Sequence, residues 1–512
     1  MMNVCIIAVV IIDWRRWVMA MDKPAGMFDR DFEWGELVRF ASYSGAEATL
    51  GVVSGRRRQG KTFLLDGLCR ATGGFFFSAS EAAEAESLRQ FGGALARFEG
   101  RRTPYRFAHW EEAVAELMAL AVHGGAPRVV VLDEFPFLAK ASPELPSLLQ
   151  RALGPQARHE GGPVRLLLCG SALSFMGGLL SGTAPLRGRA SLELVVPTLD
   201  FRLAADFWGL TGDPRLALLV NSVVGGTPAY RREFVLGDAP TDVDDFGPWV
   251  LRNVLNPGRP LFREARFLLA EEPDLRDTAL YHSVLAAIAQ GNHTRGGIAG
   301  FLERKSTDLG HALTVLEDTG MIVREPDAFH GKRSAYRIAE PILTFYYALM
   351  RPQWSDLERP DQAAAVWERA QPTFRSQIIG PHFEQVCRTW TRWYASPDTL
   401  GGQRTRVESG TVPDPAAKTS HEVDVVAFGR HADGREALLA IGEAKWNETM
   451  GLNHLQRLEH IRALLRSRNN VDAEQTRLLC FSGAGFTPEL QNLAERDSGI
   501  RLIDLHRLYA GE

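Results

Sequence analysis

Cysteine is scarce. The five in 512 residues, Cys5, Cys69, Cys169, Cys387 and Cys480, never fall in a C-x-x-C pair. That scatter argues against a disulfide framework or a cysteine zinc site and for a reducing, cytoplasmic setting. Thirteen histidines form no H-E-x-x-H, so the metalloprotease helix is excluded too. There is no basic surplus: 58 Lys and Arg stand against 62 Asp and Glu, a net charge of -4. With no global field to attract nucleic acid or an anionic membrane, any nucleic-acid site must be a local patch. Long apolar runs are also lacking. The opening "MMNVCIIAVVIIDWRRW" stops at Asp13, short of the roughly 20 residues of a membrane span. Its Arg15 and Arg16 follow the apolar run instead of preceding it, unlike a signal peptide. Residues 1–26 are therefore expected to be an N-terminal extension. It is either an extra strand or the product of a start codon placed too early, with Met19, Met21 and Met27 as alternatives.

What is present is ordinary soluble composition, 45% hydrophobic and 23% charged, at a length that suggests roughly three domains. The first chemical motif is "LGVVSGRRRQGKTFLLDGL". An apolar run, Leu50 to Val53, leads to Gly55, four residues, then Gly60-Lys61-Thr62, then a helical pattern in Phe63, Leu64, Leu65 and Leu68. Strand, glycine loop and helix follow in the order of a phosphate-binding P-loop. Glycines let backbone N–H groups close around phosphates, Lys61 reaches the β/γ oxygens, and Thr62 offers its hydroxyl to Mg²⁺. The expected ATP contacts are Gly55, Arg58, Gln59, Gly60, Lys61 and Thr62; Arg56, Arg57 and Arg58 read as a solvated run flanking the phosphates.

The second strand such a site needs is "PRVVVLDEFPFL", which delivers Asp133 to the Mg²⁺ shell through water and Glu134 to orient the attacking water. A third apolar run, "VRLLLCGSALSFM", ends at Ser171, either a γ-phosphate sensor between the two Walker strands or a turn residue. In "APLRGRASLEL", Arg187 and Arg189 are either an arginine finger, supplied in cis or by a neighbouring copy, or solvated loop cations. "VVGGTPAYRREF" carries a Gly-Gly-x-Pro break in helical sequence, the hinge of a lid or an ordinary helix-helix turn.

The motifs "FDRDFEWGEL", "GRRRQGKT", "VLDEF", "LLLCGSALSFM", "PLRGR" and "GGTPAY", in that order over about Phe28 to Phe234, resemble the archaeal-type ATPase family of the AAA+/STAND group. The resemblance implies ATP binding and hydrolysis with Mg²⁺. It does not say what the ATPase acts upon.

From Leu280 to Arg351 the pattern gives three short helices, the third ending at Gly320, then two strands around "DAFHGK". That order is a winged helix. Between Gly291 and Glu340, however, seven basic residues face seven acidic ones, so a protein-docking role stays open beside DNA contact. "RPQWSDLERPDQAAAVW" reads as a polar linker.

In the last segment, "ALLAIGEAKW" is a buried-looking strand that ends in Glu443 and Lys445. A strand repeats every two residues, so these two charges share a face. By itself that is a surface ion pair. Its company is Asp424, in the β-rich run "TSHEVDVVAFGR" on the preceding antiparallel strand, and Glu384, in the helix "PHFEQVCRTWTRW". The set Glu…Asp…Glu-x-Lys resembles the PD-(D/E)XK nuclease superfamily, with Val423 where that motif usually carries proline. The resemblance implies Asp424 and Glu443 as Mg²⁺ ligands, Glu384 completing the metal shell, and Lys445 orienting or deprotonating the attacking water. Glu422 lies on Asp424's side as a reserve ligand. The stretch 401–420 reads as a long Gly/Pro-containing loop.

The fold class expected is therefore α/β multidomain: a P-loop ATPase core with a parallel sheet (27–200), a helical lid (201–275), a winged helix (276–350), a linker (351–376) and an α/β restriction-endonuclease-like domain (377–512). ATP and Mg²⁺ are the expected ligands. Nucleic acid, DNA by preference, and further copies of the chain through an arginine finger are the expected partners, with no membrane. The leading function is ATP-dependent nucleic-acid processing with Mg²⁺-dependent cleavage. The alternative is a nucleotide-controlled switch whose C-terminal domain binds a partner or DNA without cutting.

Overall fold

A computed structural model describes residues 21–120, 128–154, 163–270, 278–431, 434–467, 472–473 and 475–512. Most of the N-terminal extension, with Cys5, Arg15, Arg16 and Met19, lies outside these. The chain divides into two compact units, Met1–Thr198 and Leu199–Glu512. The helical region expected as a lid therefore falls in the second unit with everything that follows it.

The first unit is built on five strands, β1 (Thr49–Ser54), β2 (Phe75–Ser78), β3 (Arg128–Asp133), β4 (Val164–Gly170) and β5 (Ala190–Val195). Every pairing is parallel and the order is β2-β3-β4-β1-β5. Parallel strands covered by helices on both faces are buried throughout, hence the unbroken apolar runs Val129–Leu132 and Leu166–Cys169, none more than 1% exposed. Two apolar layers flank the sheet. One joins Leu50, Val52, Val130 and Leu166 to Phe91 and Trp110, and the other joins Val53, Val131 and Leu167 to Trp34, Leu37 and Leu65. The entry motif forms the helix Asp31–Ala41 of the second layer.

In the second unit, the helices Thr278–Ala289, Arg295–Phe301 and Gly310–Asp318 precede the antiparallel pair β6 (Ile322–Asp327) and β7 (His330–Ile338). The same sheet continues through β8 (Arg404–Asp414), β9 (Thr419–Arg430), β10 (Glu436–Lys445), β11 (Arg477–Ser482) and β12 (Ile500–Asp504), in the order β12-β11-β10-β9-β8-β6-β7. β8, β9 and β10 form an antiparallel meander, while β10, β11 and β12 run parallel. Around this sheet, Val423, Val426, Ile441 and Leu478 pack on Leu455, Leu458 and Ile461 of the helix Leu452–Arg466.

Two sequence expectations are corrected here. The stretch 401–420 is not a loop. Most of it is β8, paired with β9 from Arg404↔Gly429 to Asp414↔Thr419. Gly410 sits at a register shift and Pro413 pairs with Ser420 near the hairpin end, positions where a strand tolerates residues that suggest a loop. Nor is 351–376 a polar linker: it is a chain of short helices. Leu357, Val366 and Phe374 are buried and Trp354 packs on Phe262, the rings tilted and 4.6 Å apart between centroids. Helically spaced apolar residues there are diluted by charged ones that face out, which hides the pattern in the sequence.

Candidate functional site

The first site gathers at the carboxyl ends of β1, β3 and β4, the end at which open parallel sheets hold ligands. β1 ends at Ser54, and Gly55 turns the chain with φ 146°. A Cβ there would lie 2.5 Å from the Val196 carbonyl oxygen, so only glycine lets the loop leave the sheet this closely. The helix Lys61–Thr72 starts on the far side of the loop. Lys61 is buried, and its ammonium donates to the carbonyls of Gly55 (2.7 Å) and Arg56 (2.8 Å). Burial lowers its pKa, against the pull of the Glu134 and Asp133 carboxylates. Thr62 Oγ1 donates to Asp133 Oδ2 at 2.9 Å. The two residues the sequence assigns to Mg²⁺, 71 positions apart, therefore meet. A hydroxyl and a carboxylate, both oxygen donors, suit that ion.

Glu134 follows β3 with φ 51°, a left-handed conformation uncommon outside glycine and asparagine. Ser171, at the end of β4, donates its hydroxyl to both Glu134 carboxylate oxygens at 3.2 Å. Because β4 lies between β1 and β3, Ser171 touches the Glu134 carboxylate directly. Gln59 is buried and Arg58 takes φ 67° within the loop. Arg187 and Arg189 are both exposed, and Arg187 donates to its own loop's Gly182 carbonyl at 2.7 Å. No described bond brings either arginine to the P-loop.

The second site lies on the C-terminal sheet. β9 and β10 are antiparallel, with Val425 opposite Gly442. Asp424 Oδ2 accepts the Ala444 amide at 2.8 Å, which ties the carboxylate to the strand bearing Glu443 and Lys445. Lys445 Nζ lies 3.0 Å from Glu443 Oε1, as expected for residues two apart on one strand. Glu443 is buried, and its Oε2 has no hydrogen-bond partner among the described residues. An acceptor left open in a buried carboxylate is costly unless something occupies it. The helix Gly380–Trp393 brings Glu384 to the same place. Burial, then the neighbouring Asp424 carboxylate, push the Glu384 pKa up to about 7. Asp424 is raised as well, chiefly by burial. Burial opposes the charge on Lys445, but the Glu443 and Asp424 carboxylates outweigh it and raise its pKa. Glu384 and Asp424, both held back from ionising, and Glu443 with its open oxygen make an oxygen-only donor set suited to Mg²⁺.

All four predicted residues thus converge. Glu422, the reserve ligand, is exposed and contributes its backbone carbonyl instead. Two arginines were missed. Arg457 places Nη1 3.0 Å from Glu443 Oε1 and donates through Nη2 to the Glu422 carbonyl at 2.9 Å. Arg388 donates to the Asp424 carbonyl at 3.0 Å. Arg388 was discoverable, since it stands four residues after Glu384 on one helix face. Arg457 carried no signal before the helix was placed against β10.

No helix of the described residues is long and apolar enough to cross a membrane. The four described cysteines are buried free thiols.

No family model matches the chain. The protein named "Uncharacterized protein MJECL04" of Methanocaldococcus jannaschii is 27% identical over 314 residues, 60% of this chain and 65% of that protein. The chain thus spans just under two thirds of that relative's length. Among solved structures, the Walker-type ATPase paby2304 of Pyrococcus abyssi is 19% identical, with 64% of this chain and 99% of that one covered at a TM-score of 0.49. The ORC2 protein of Aeropyrum pernix is 15% identical, covering 69% of this chain and 98% of that one at 0.41. Cdc6p of Pyrobaculum aerophilum is 14% identical, covering 69% and 98% at 0.32.

Proposed function

We propose that the chain is an ATPase of the AAA+/STAND type joined to a Mg²⁺-dependent nucleic-acid-cleaving domain. The observation that carries the first half is the Thr62–Asp133 contact at 2.9 Å beside a buried Lys61. In this reading the Lys61 ammonium leaves the Gly55 and Arg56 carbonyls for phosphate oxygens. Thr62 and Asp133 would hold Mg²⁺, which neutralises phosphate charge when bound. Glu134, steadied by Ser171, orients the attacking water. Arg187 or Arg189, exposed on their loop, fit a finger supplied to a neighbouring copy.

The second half is supported by the convergence of Glu384, Asp424, Glu443 and Lys445. Asp424, Glu443 and Glu384 would hold a second Mg²⁺, which lowers the pKa of bound water. Lys445 positions the attacking water, and Arg457 holds Glu443 from the opposite helix. The three helices and the β6–β7 hairpin fit a winged helix that contacts DNA. A plasmid-cleavage assay with Mg²⁺, with and without ATP, tests this reading. Cleavage lost in Asp424→Ala supports it. If the wild-type chain cuts neither DNA nor RNA with Mg²⁺ or Mn²⁺, the nuclease half falls and the nucleotide-controlled switch replaces it. That second reading is favoured by the even charge of residues 291–340.

A further inference from the structure

The tip of the β8–β9 hairpin meets the helix Leu452–Arg466 through three side chains. Asp414 is the last residue of β8, His421 stands near the start of β9, and His460 lies on the helix. Their ligand atoms all fall within 4.8 Å of one another. Both imidazole Nε2 atoms face the same carboxylate oxygen, Asp414 Oδ2, at 3.4 Å from His421 and 2.8 Å from His460. The two rings stand nearly perpendicular, with centroids 5.3 Å apart. The other oxygen, Oδ1, accepts the Ala417 amide at 3.1 Å, which fixes the carboxylate while leaving Oδ2 turned to the histidines. The Asp414 side chain is 4% exposed and that of His460 50% exposed, so the cluster is anchored on one side and open to solvent on the other.

We propose that Asp414, His421 and His460 form a binding site for a transition-metal dication of the zinc class, with a fourth position open to water. Two imidazole nitrogens and one carboxylate oxygen select such ions over Mg²⁺ and Ca²⁺, which prefer oxygen alone. Ligands about 2.0–2.1 Å from a tetrahedral ion stand about 3.3 Å apart. The Asp414–His421 spacing already matches. The Asp414–His460 spacing is that of a hydrogen bond and must open by about half an ångström, a small movement for a half-exposed side chain. The amide bond to Oδ1 supplies the outer-shell support that metal-binding carboxylates use. A bound ion would tie the hairpin to the helix that carries Arg457. The competing account is that the histidines only hydrogen-bond the carboxylate.

The test uses the full chain, stripped with a chelator and dialysed against Zn²⁺ in excess Mg²⁺, which fills the oxygen-only sites. One Zn²⁺ per chain should be retained, and Asp424→Ala should not change it. Asp414→Asn and His460→Ala should each weaken retention by more than the about 10- to 100-fold that loss of an outer-shell partner brings. Co²⁺ in place of Zn²⁺ should give the wild-type chain the strong visible absorption of a tetrahedral centre, a readout independent of any variant's folding. No Zn²⁺ retained over Mg²⁺, no tetrahedral Co²⁺ spectrum, or equal retention by the His421→Ala, His460→Ala double variant would each overturn the site.

Discussion

Glu384 should destabilise the metal-free protein at neutral and higher pH, so that Glu384→Gln makes the fold tighter while it removes cleavage. The carboxyl is forced from its ordinary 4.5 up to about 7, first by burial and then by Asp424. A folded-state pKa above the unfolded one means the folded state holds its proton longer. The penalty from Glu384 is then absent below about pH 4.5, grows as pH rises towards about 7, and is level above that. The interval between 4.5 and about 7, at about 1.4 kcal/mol per pH unit, is worth about 3 kcal/mol. Asp424 shares the repulsion, so about 2 kcal/mol is the figure to expect for Glu384 alone. Glutamine mimics the protonated acid. In chelator, Glu384→Gln should therefore match wild type near pH 4.5 and exceed it by about 2 kcal/mol at pH 8. Hydrogen exchange of the β10 amides reads the opening free energy where the effect is felt. Added Mg²⁺ should narrow the gap by stabilising only the wild type. If Glu384→Gln is less stable than wild type at pH 8, or the difference is the same at both pH values, the carboxylate cluster is an ordinary ion-pair network and the reasoning fails.

Lys61→Ala should abolish tight ATP binding, and Glu134→Gln should bind ATP without turning it over; nucleotide titration and phosphate release check both. Lys445→Ala should slow cleavage by about 10²-fold or more and leave ATP turnover unchanged, well beyond the about 0–1 kcal/mol of a surface ion pair; parallel nuclease and ATPase assays decide. Mixing Lys61→Ala chains with Arg189→Ala chains should restore part of the ATPase rate if the finger crosses between copies, and full activity in a strictly monomeric wild-type preparation would disprove that. Gly226→Ala should cost about 3 kcal/mol, because its Cβ would fall 1.8 Å from the Leu199 carbonyl oxygen; chemical denaturation measures it.

Local chemistry was legible in the sequence because it depends on short spacing. The P-loop is one turn between a strand and a helix, so Gly55, Lys61 and Thr62 declared themselves by order alone, and Glu443 and Lys445 shared a face because strand geometry repeats every two residues. The strands that lead to Asp133 and Ser171 were equally plain, since a parallel strand buried on both faces has to be an unbroken apolar run. Contacts across long loops were another matter. That Ser171 holds Glu134, that Arg457 reaches Glu443, and that His460 lies beside Asp414 and His421 depend on which strands become neighbours and which helix packs over them. The segments misread as loop and linker, 401–420 and 351–376, are places where glycine, proline and charge imitate irregular chain while tertiary pairing overrides them. The raised pKa of Glu384 belongs wholly to the folded state. Burial and a second carboxylate create it, and neither exists until the helix Gly380–Trp393 is laid against β9 and β10.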